Sequence, residues 1–143
     1  MTFFIRTAET GDADSIAELS VTLGYLTGEN AVQNRLGSLL DSDDHCVFVA
    51  VNYGQIIGWI HAFSTLRITS DSFVEIGGLL VGEDHQRKGF GEALVDRISQ
   101  WTKEKGIENL RVRSNTMREG SHEFYEKLGF EEVKEQKIFV SRI

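Results

Sequence analysis

The sequence predicts an α/β domain built on a mixed, mostly antiparallel central sheet of six to seven strands, with about four helices on its faces. Short runs rich in Val, Ile and Phe alternate with segments in which apolar residues recur every three or four positions. A helix is predicted between strands four and five, and such a crossover makes paired strands parallel. A short turn with Asn and Gly between strands two and three makes that pair antiparallel.

The first half of the chain supplies one strand, two helices and a hairpin. Residues 2 to 8 are expected to form the strand, and Asp12 or Asp14 is suited to cap the helix that follows. A second helix is expected over residues 29 to 40. The runs "HCVFVAV" and "IIGWIHAF" flank "NYGQ", which is typical of a β-hairpin. Both helices are expected to cover the sheet.

The second half begins with a fourth strand, residues 73 to 81, in which the pair Gly77 and Gly78 predicts a bulge or a close approach by another backbone. A helix follows from residue 89 to about 105. The segment "IENLRVRSN" then reads as a fifth strand and "EGSHEFYEKLG" as a last helix. The segment "FEEVKEQKIFVSRI" is expected to form one or two closing strands.

Composition excludes several classes of protein. The 143 residues include 15 Lys and Arg against 22 Asp and Glu, a formal charge of −7, so nucleic acid is an unexpected partner. The lone Cys46 cannot form an internal disulfide, and no apolar run approaches the ~20 residues of a membrane helix. No signal peptide or linker is evident. We expect a single cytoplasmic domain over residues 1–143 that does not bind membranes.

The stretch "VGEDHQRKGFGEALV" joins the fourth strand to the next helix through a loop from Gly82 to Lys88. It does not fit G-x-G-x-x-G, because Leu94 occupies the third glycine position, and it lacks the P-loop pattern. The first turn of a helix nevertheless offers unpaired N–H groups and a positive dipole end to an anion. Glycines at 89 and 91 would let a phosphate approach. An exposed basic turn with small residues for helix packing explains the stretch equally well on chemistry alone.

Within that stretch, "QRKGFG" resembles the R/Q-x-x-G-x-G/A signature of the GNAT superfamily, the acyl-CoA-dependent N-acyltransferases. The segments "LGYLTGENAVQNRLGSLL", "QIIGWIHAF", "EIGGLLV" and "RVRSNTMREGSHEFYEKLGFEEV" are similar to that family's segments in the same order. The resemblance implies a GNAT-like fold in which strands four and five are parallel and splayed apart. It also implies acetyl-CoA as the acyl donor.

By this resemblance, the main chain from Gln86 to Gly91 and Glu92 surrounds the CoA pyrophosphate, and the fourth strand binds the pantetheine arm as an added strand would. Asn115 matches a family contact to the cofactor, although an Asn there could equally end a strand. The expected cofactor residues are Leu79, Leu80, Val81, Gln86, Arg87, Lys88, Gly89, Phe90, Gly91, Glu92 and Asn115.

Acyl transfer to an amine calls for a base and for an acid that protonates the departing thiolate. Tyr125, in "FYEKLGF", matches the family position whose phenol faces the CoA sulfur, and it is the expected general acid. On helix periodicity alone it would be a core aromatic residue.

Glu75 lies in an otherwise apolar strand, where regular alternation places it on the face of Phe73, Leu79 and Val81. Its position before Gln86 resembles that of the glutamate base in the histone-acetyltransferase branch, so it is the expected base, acting directly or through water. Two alternatives stay open. Glu75 could pair with an arginine such as Arg67, or it could bind the substrate ammonium.

Tyr25 and Trp59 are expected to wall the acceptor pocket, although either could be a core residue. The four histidines show no metal-ligand spacing, and no metal is expected. The expected function is direct transfer of acetyl from acetyl-CoA to an amine in a ternary complex. Alternatives are a non-catalytic acyl-CoA-binding module and an ATP-binding protein.

The acceptor remains open among polyamines, aminoglycoside-like amines, amino acids and the amines of peptides or proteins. A homodimer through the closing strands is a fair expectation.

Overall fold

The computed structural model describes residues 3–25, 27–114 and 119–143. Within these ranges the chain forms five strands and four helices, with short 3₁₀ turns at Thr10–Asp12 and Glu83–His85. In chain order the elements are β1 (Phe3–Thr7), α1 (Ala13–Thr22), α2 (Glu29–Leu40), β2 (His45–Asn52), β3 (Gln55–Thr65), β4 (Phe73–Val81), α3 (Phe90–Glu104), β5 (Leu110–Val112) and α4 (Glu119–Lys127).

The strands form one sheet in the order β1-β2-β3-β4-β5. Consecutive strands from β1 to β4 pair antiparallel, and β5 pairs parallel to β4 after the crossover through α3. The mixed α/β fold and the parallel pairing of strands four and five are therefore confirmed.

The prediction of six to seven strands is wrong, because the sheet has five in the part of the chain that the structure describes. The missing strands are those expected in residues 130–143, which adopt no strand. Their polar and apolar alternation predicts an extended chain with two faces. A strand also requires a hydrogen-bonded neighbour, and alternation contains no information about one.

The chain divides into two compact units. The unit Met1–Arg113 contains the whole sheet with α1, α2 and α3, and the unit Ser114–Ile143 contains α4. Within the second unit α4 ends at Lys127, and Gly129, two residues beyond it, has a left-handed φ of 95°. The N–H of Phe130 donates to the carbonyl of Tyr125 at 3.0 Å and closes this helix end.

Helices α1 and α2 cover one face of β2 and β3. Alternate residues of β2 point into this layer, where they meet apolar side chains of both helices. The buried members are Ala8, Ala13, Ile16, Leu36, Val47, Val49 and Val51, with Val32, Leu39, Leu40, Ile56 and Trp59 packed around them. We call this side of the sheet the α1/α2 face.

Helix α3 covers the opposite face. Its apolar stripe includes Leu94 and Ile98, both fully buried, and it contacts β2, β3 and β4. Leu94 lies against Gly58 of β3, where a Cβ would be 3.4 Å from Cδ1 of Leu94 and only 3.0 Å from the carbonyl oxygen of Leu80. The sheet is thus sandwiched between helices over most of its width.

The start of α1 is fixed by Asp12. The residue is the N-cap, as predicted, but its carboxylate does not cap the helix. It accepts two hydrogen bonds from the Arg6 guanidinium, at 2.8 and 2.9 Å, and one from the Glu9 N–H at 2.7 Å. The bonds from Arg6 lower the pKa of Asp12. This pair fastens the first helix to β1.

A bulge interrupts β4, as the glycine pair predicts. Ile76 lies opposite Ala62 and Gly78 lies opposite His61, so Gly77 is an extra residue. A Cβ on Gly77 would lie 2.8 Å from Nδ1 of His61, and one on Gly78 would lie 2.8 Å from Cη2 of Trp59. Both glycines are needed because side chains of β3 lie directly against the bulge.

The bulge also reverses the side-chain alternation of β4. Glu75 pairs with Phe63 on the α1/α2 face, whereas Leu79 pairs with Ile60 on the α3 face. Val81, paired with Gly58, is on the α3 face as well. The prediction that Glu75 shares a face with Leu79 and Val81 is therefore wrong, because one inserted residue shifts the period-two pattern.

Substituting Gly78→Ala should destabilise the protein by about 1–3 kcal/mol, since the new methyl group overlaps the Trp59 ring. The ring cannot move away freely, because its Nε1 donates to Oγ of Ser20 at 3.3 Å. Urea unfolding followed by far-UV circular dichroism measures the change.

The matched control is Gly37→Ala in α2, where no atom lies within 4 Å of the added Cβ. It should be neutral or stabilise by up to ~1 kcal/mol. Equal unfolding midpoints for the two variants would contradict the packing described for the bulge.

Candidate functional site

The loop between β4 and α3 is held at both ends by hydrogen bonds. The N–H of Gly82 donates to the carbonyl of Ile57 at 2.8 Å and ties the loop to β3. The side-chain amide of Gln86 donates to the carbonyl of Val81 at 3.0 Å. The Gln86 side chain therefore braces the loop, and its main-chain N–H is directed to the carbonyl of Glu83 at 3.4 Å.

The backbone turns sharply before α3. Arg87 has φ of 63° and Gly89 has φ of 89°, so two residues adopt the left-handed conformation around Lys88. Successive turns of this kind direct neighbouring N–H groups into one concavity. Gly89 is the N-cap of α3 and has no side chain to cap it.

The first hydrogen bond of α3 joins the N–H of Ala93 to the carbonyl of Gly89 at 3.1 Å. The N–H groups of Phe90, Gly91 and Glu92 therefore have no partner within the helix. This arrangement at the positive end of the helix dipole can bind a phosphate group.

The side chains around this helix start differ in role. Arg87, Lys88 and Glu92 are exposed, whereas Phe90 is buried with its ring against that of Phe3, the centroids 4.7 Å apart. Phe90 thus anchors the helix to β1 and offers only its main chain to a ligand.

On the side away from β3, the second half of β4 has no partner strand among the residues that the structure describes. Pairing with β5 covers only Val74 to Ile76, although β4 continues to Val81. Because Gly82 bonds to β3, the alternation of a strand directs the peptide groups of Leu80 toward β3 as well. Those of Leu79 and Val81 then face the side where pairing with β5 has ended. This edge can accept an extended ligand.

Glu75 is held by an arginine that sequence reasoning missed. Its side chain is 14% exposed, and Oε1 accepts a hydrogen bond from Nε of Arg113 at 3.1 Å. Arg67, the partner considered from the sequence, instead lies over the Phe73 ring at 5.2 Å from its centroid. The partner was missed because the sequence predicts the parallel pairing of β5 with β4 but not its register, which sets Arg111 beside Glu75 and brings Arg113 within reach.

Trp59 lies between α1 and the bulge. Its indole N–H donates to Oγ of Ser20, and its ring contacts Gly78. Tyr25 follows α1 and is 45% exposed, with its main-chain N–H bonded to the carbonyl of Ser20 at 3.0 Å. Both residues are in the first unit, and their predicted role as pocket walls stays a prediction.

A histidine pair next to the bulge was also missed. Nδ1 of His45 and Nε2 of His61 lie 2.9 Å apart, and the rings are stacked with centroids separated by 5.2 Å. Burial, and after it the charge of His45, lowers the pKa of His61 to about 4. His61 is therefore neutral at physiological pH. The sequence contained one signal for this pair. Alternation along β2 points His45 and Cys46 to opposite faces of the sheet, so it places His45 on the face away from Cys46.

His61 borders a shallow cavity of about 530 Å³ on the α1/α2 face. Its other lining residues belong to α2 and are Asn34, Arg35, Ser38 and Leu39. A second cavity, of about 430 Å³, includes Cys46, Arg97 and Trp101 in its lining and none of the predicted site residues. The first cavity adjoins the β4 bulge and is the candidate acceptor site.

Tyr125 lies in α4 of the second unit, packed against aromatic neighbours. Its ring centroid is 5.1 Å from that of Phe124 and 5.5 Å from that of Phe130. Burial raises the pKa of Tyr125 to about 12. The phenol therefore carries its proton at neutral pH, as a general acid requires.

Two further observations concern the chain as a whole. Asn115 lies outside the described residues, so its predicted role is untested. Among residues 3–25, 27–114 and 119–143, no helix is long and apolar enough to cross a membrane, and no three His, Cys, Asp or Glu side chains form a metal-binding group.

Comparisons with known proteins agree with this geometry. The model of the acetyltransferase (GNAT) family matches residues 15–130. The uncharacterized N-acetyltransferase CT2212 of Chlorobaculum tepidum is 30% identical over 140 residues, which cover 97% of this chain and 81% of the relative.

Two solved structures have the same fold. AAC(6')-Iy in complex with the bisubstrate analogue CoA-S-monomethyl-acetylneamine has a TM-score of 0.88 at 20% identity, with 100% of each chain covered. The aminoglycoside antibiotic 6'-N-acetyltransferase AAC(6')-Ih from Acinetobacter baumannii has a TM-score of 0.86 at 17% identity, with 99% of each chain covered.

The neutral state of His61 should make stability depend on pH. Because its pKa falls from the usual value near 6.5 to about 4 on folding, the unfolded chain binds more protons in this range. The stabilisation from neutral His61 is fully present above about pH 6.5 and is lost as the pH falls toward 4.

The variant His61→Gln cannot titrate at this position, so its urea midpoint should fall less steeply than that of the original protein between pH 6.5 and 4. His85→Gln, which removes a histidine from the β4–α3 loop, is the control. Parallel midpoint curves for the original protein and His61→Gln would contradict the assignment.

Proposed function

The chain belongs to the acetyltransferase (GNAT) family, and we propose that it transfers acetyl from acetyl-CoA directly to an amine bound in the same complex. The protein is an acetyl-CoA-dependent N-acetyltransferase. Its donor, its reaction class and its fold follow from the family. The residues that perform the reaction are our proposal.

The junction of β4, the loop and α3 carries the proposal. The unpaired N–H groups of Phe90, Gly91 and Glu92 lie where the CoA pyrophosphate would bind. Arg87 and Lys88 add positive charge beside it. The glycine at the N-cap suits a ligand-binding helix start, because a capping side chain would compete with the phosphate for the same N–H groups.

The pantetheine arm would bind along β4. Leu79 and Val81 present main-chain groups to the side where β5 no longer pairs, so the arm can hydrogen-bond as an additional strand does. Leu80 directs its peptide toward β3 and contributes a buried side chain on the α1/α2 face. The bulge would place the thioester near Gly77 and Gly78.

The chemical step moves a proton from the ammonium ion, a proton to the departing sulfur and a second proton from the nitrogen after its attack. The acceptor arrives mostly as an ammonium ion and must lose a proton before it attacks. Glu75, oriented by Arg113, receives this proton through water. The amine nitrogen then bonds to the acetyl carbon, and the carbon–sulfur bond breaks as the tetrahedral intermediate collapses. Tyr125 donates its phenolic proton to the thiolate, and its phenolate takes up the second proton that the attacking nitrogen must lose, which leaves a neutral amide and free CoA. No acyl-enzyme forms.

The acceptor side is formed by the cavity beside His61, with Tyr25 and Trp59 as walls. Asn115 would contact the cofactor by the family resemblance. A homodimer and a cytoplasmic location remain proposals. AAC(6')-Ih is an aminoglycoside antibiotic 6'-N-acetyltransferase, and AAC(6')-Iy was solved with an analogue that contains acetylneamine. The sequence identity of both to this chain is too low to transfer their substrates to it.

The activity is tested by thiol release from acetyl-CoA against amines of several classes, with CoA binding followed as a thermal shift. We expect both thiol release with at least one amine and stabilisation by CoA. Stabilisation by CoA without thiol release from any amine would contradict an enzymatic role and favour a binding module.

Substituting Tyr125→Phe should lower kcat by about 10²-fold, since it removes the proton donor, while the Kd for CoA changes little. Tyr53→Phe is the matched control, because Tyr53 is exposed in the β2–β3 turn. Steady-state thiol release and CoA titration measure the two constants. A kcat for Tyr125→Phe equal to that of Tyr53→Phe would remove Tyr125 from the mechanism.

A further inference from the structure

Three arginines surround Phe73 and Glu75 at the edge of the sheet. Arg111 lies over the Phe73 ring with its guanidinium carbon 4.0 Å from the centroid, and Arg67 contacts the same ring at 5.2 Å. Arg113 donates to Glu75 at 3.1 Å. We call Arg67, Arg111 and Arg113 the arginine cluster.

The cluster carries excess positive charge on a protein whose formal charge is −7. Glu75 pairs with Arg113, and within the ranges described neither Arg67 nor Arg111 forms an ion pair with a carboxylate. All three arginines are exposed. Two guanidinium groups that share one aromatic ring without a counter-charge make a local site for an anion.

An arginine that stacks on an aromatic ring can still bind an anion. The ring contacts the flat face of the guanidinium, while the N–H groups at its edge stay available for hydrogen bonds. That edge matches a carboxylate or a phosphate in a bidentate geometry. Phe73 is itself buried, so it holds the two guanidinium groups on a rigid support.

The cluster lies on the acceptor side of the proposed site. Phe73 and Glu75 point to the same face of β4, opposite Thr65 and Phe63, and His61 continues that face along β3. Phe73 precedes the bulge at Gly77 by four residues, which is about 13 Å in a strand. An acceptor whose amine lies near the bulge could therefore reach the cluster with its other end.

The lining of the cavity beside His61 is positively charged, as the arginine cluster is. Among the described residues that line it, Arg35 is the one that carries a charge, and none has a carboxylate. Arg35 is exposed, and its only hydrogen bond shown within the ranges described is a long one of 3.4 Å to Oγ1 of Thr27. A polycationic acceptor would meet repulsion from both Arg35 and the cluster.

We propose that the acceptor is an amine that carries an anionic group, a carboxylate or a phosphate, on the order of 10 Å from the reactive nitrogen. Arg67 and Arg111 bind that group, while the amine lies at the bulge. The inference rests on the proposed acetyl transfer and specifies its substrate class. It sets this chain apart from the solved structure of similar fold that binds an analogue containing acetylneamine.

The test compares acceptors that differ in one charge. Triglycine has a free amine and a distant carboxylate, and triglycine amide has the same amine without the charge. Glycyl-phosphoserine amide supplies a phosphate instead, and neamine supplies a polycation. We expect kcat/KM for triglycine or for the phosphopeptide to exceed that for triglycine amide by about tenfold, with neamine below all three.

Variants assign the preference to the cluster. In Arg111→Gln and Arg67→Gln, the ratio of kcat/KM for the anionic acceptor to that for triglycine amide should fall toward one, mainly through KM. Lys103→Gln, on the exposed side of α3, is the control and should keep the ratio. Neamine used as well as triglycine, or a ratio unchanged in both arginine variants, would overturn the inference.

A failure of acetyl transfer itself is distinguished by binding. If CoA stabilises the protein and no acceptor releases thiol, the proposed function fails. The anion preference is then decided by calorimetric titration of triglycine and its amide into the CoA-saturated protein. Tighter binding of triglycine, lost in Arg111→Gln, supports the inference, and equal binding overturns it.

Discussion

The inserted glycine in β4 is the constraint on which the rest of the site depends. Gly77 adds one residue between the pairs Ile76 with Ala62 and Gly78 with His61, and neither glycine could carry a Cβ without meeting His61 or Trp59. The side chains of β3 and the glycines of β4 therefore specify each other. One extra residue turns a regular strand into one whose two halves face opposite ways.

That reversal gives the two halves of β4 different surroundings. Before the bulge, Phe73 and Glu75 present their side chains to the α1/α2 face, where the cavity beside His61 and the arginine cluster lie. After it, pairing with β5 has ended among the described residues, and Leu79 and Val81 turn main-chain groups toward that side of β4. The helix start of α3 follows directly, so in the proposed complex the donor's extended arm and its phosphates would meet consecutive segments of the chain.

Sequence reasoning reached the features that are local in the chain. The glycine pair predicted the bulge, the crossover helix predicted the parallel strands, and the "QRKGFG" stretch predicted the glycine-capped helix start. It missed features that depend on pairing between distant segments. His45 and His61 are 16 residues apart, and Arg113 is 38 residues from Glu75. The prediction that Leu79 shares a face of the sheet with Glu75 was wrong, because side-chain alternation alone does not show where a strand gains a residue.

Amide hydrogen exchange with and without CoA tests the central claim that the half of β4 after the bulge receives the donor. Because the main-chain N–H of Leu80 already faces β3, it should be protected from exchange in both states. The main-chain N–H groups of Leu79 and Val81 should gain protection when CoA is bound. Amides of Phe90, Gly91 and Glu92 should gain protection as well. Protection by CoA that leaves Leu79 and Val81 unchanged would contradict the account.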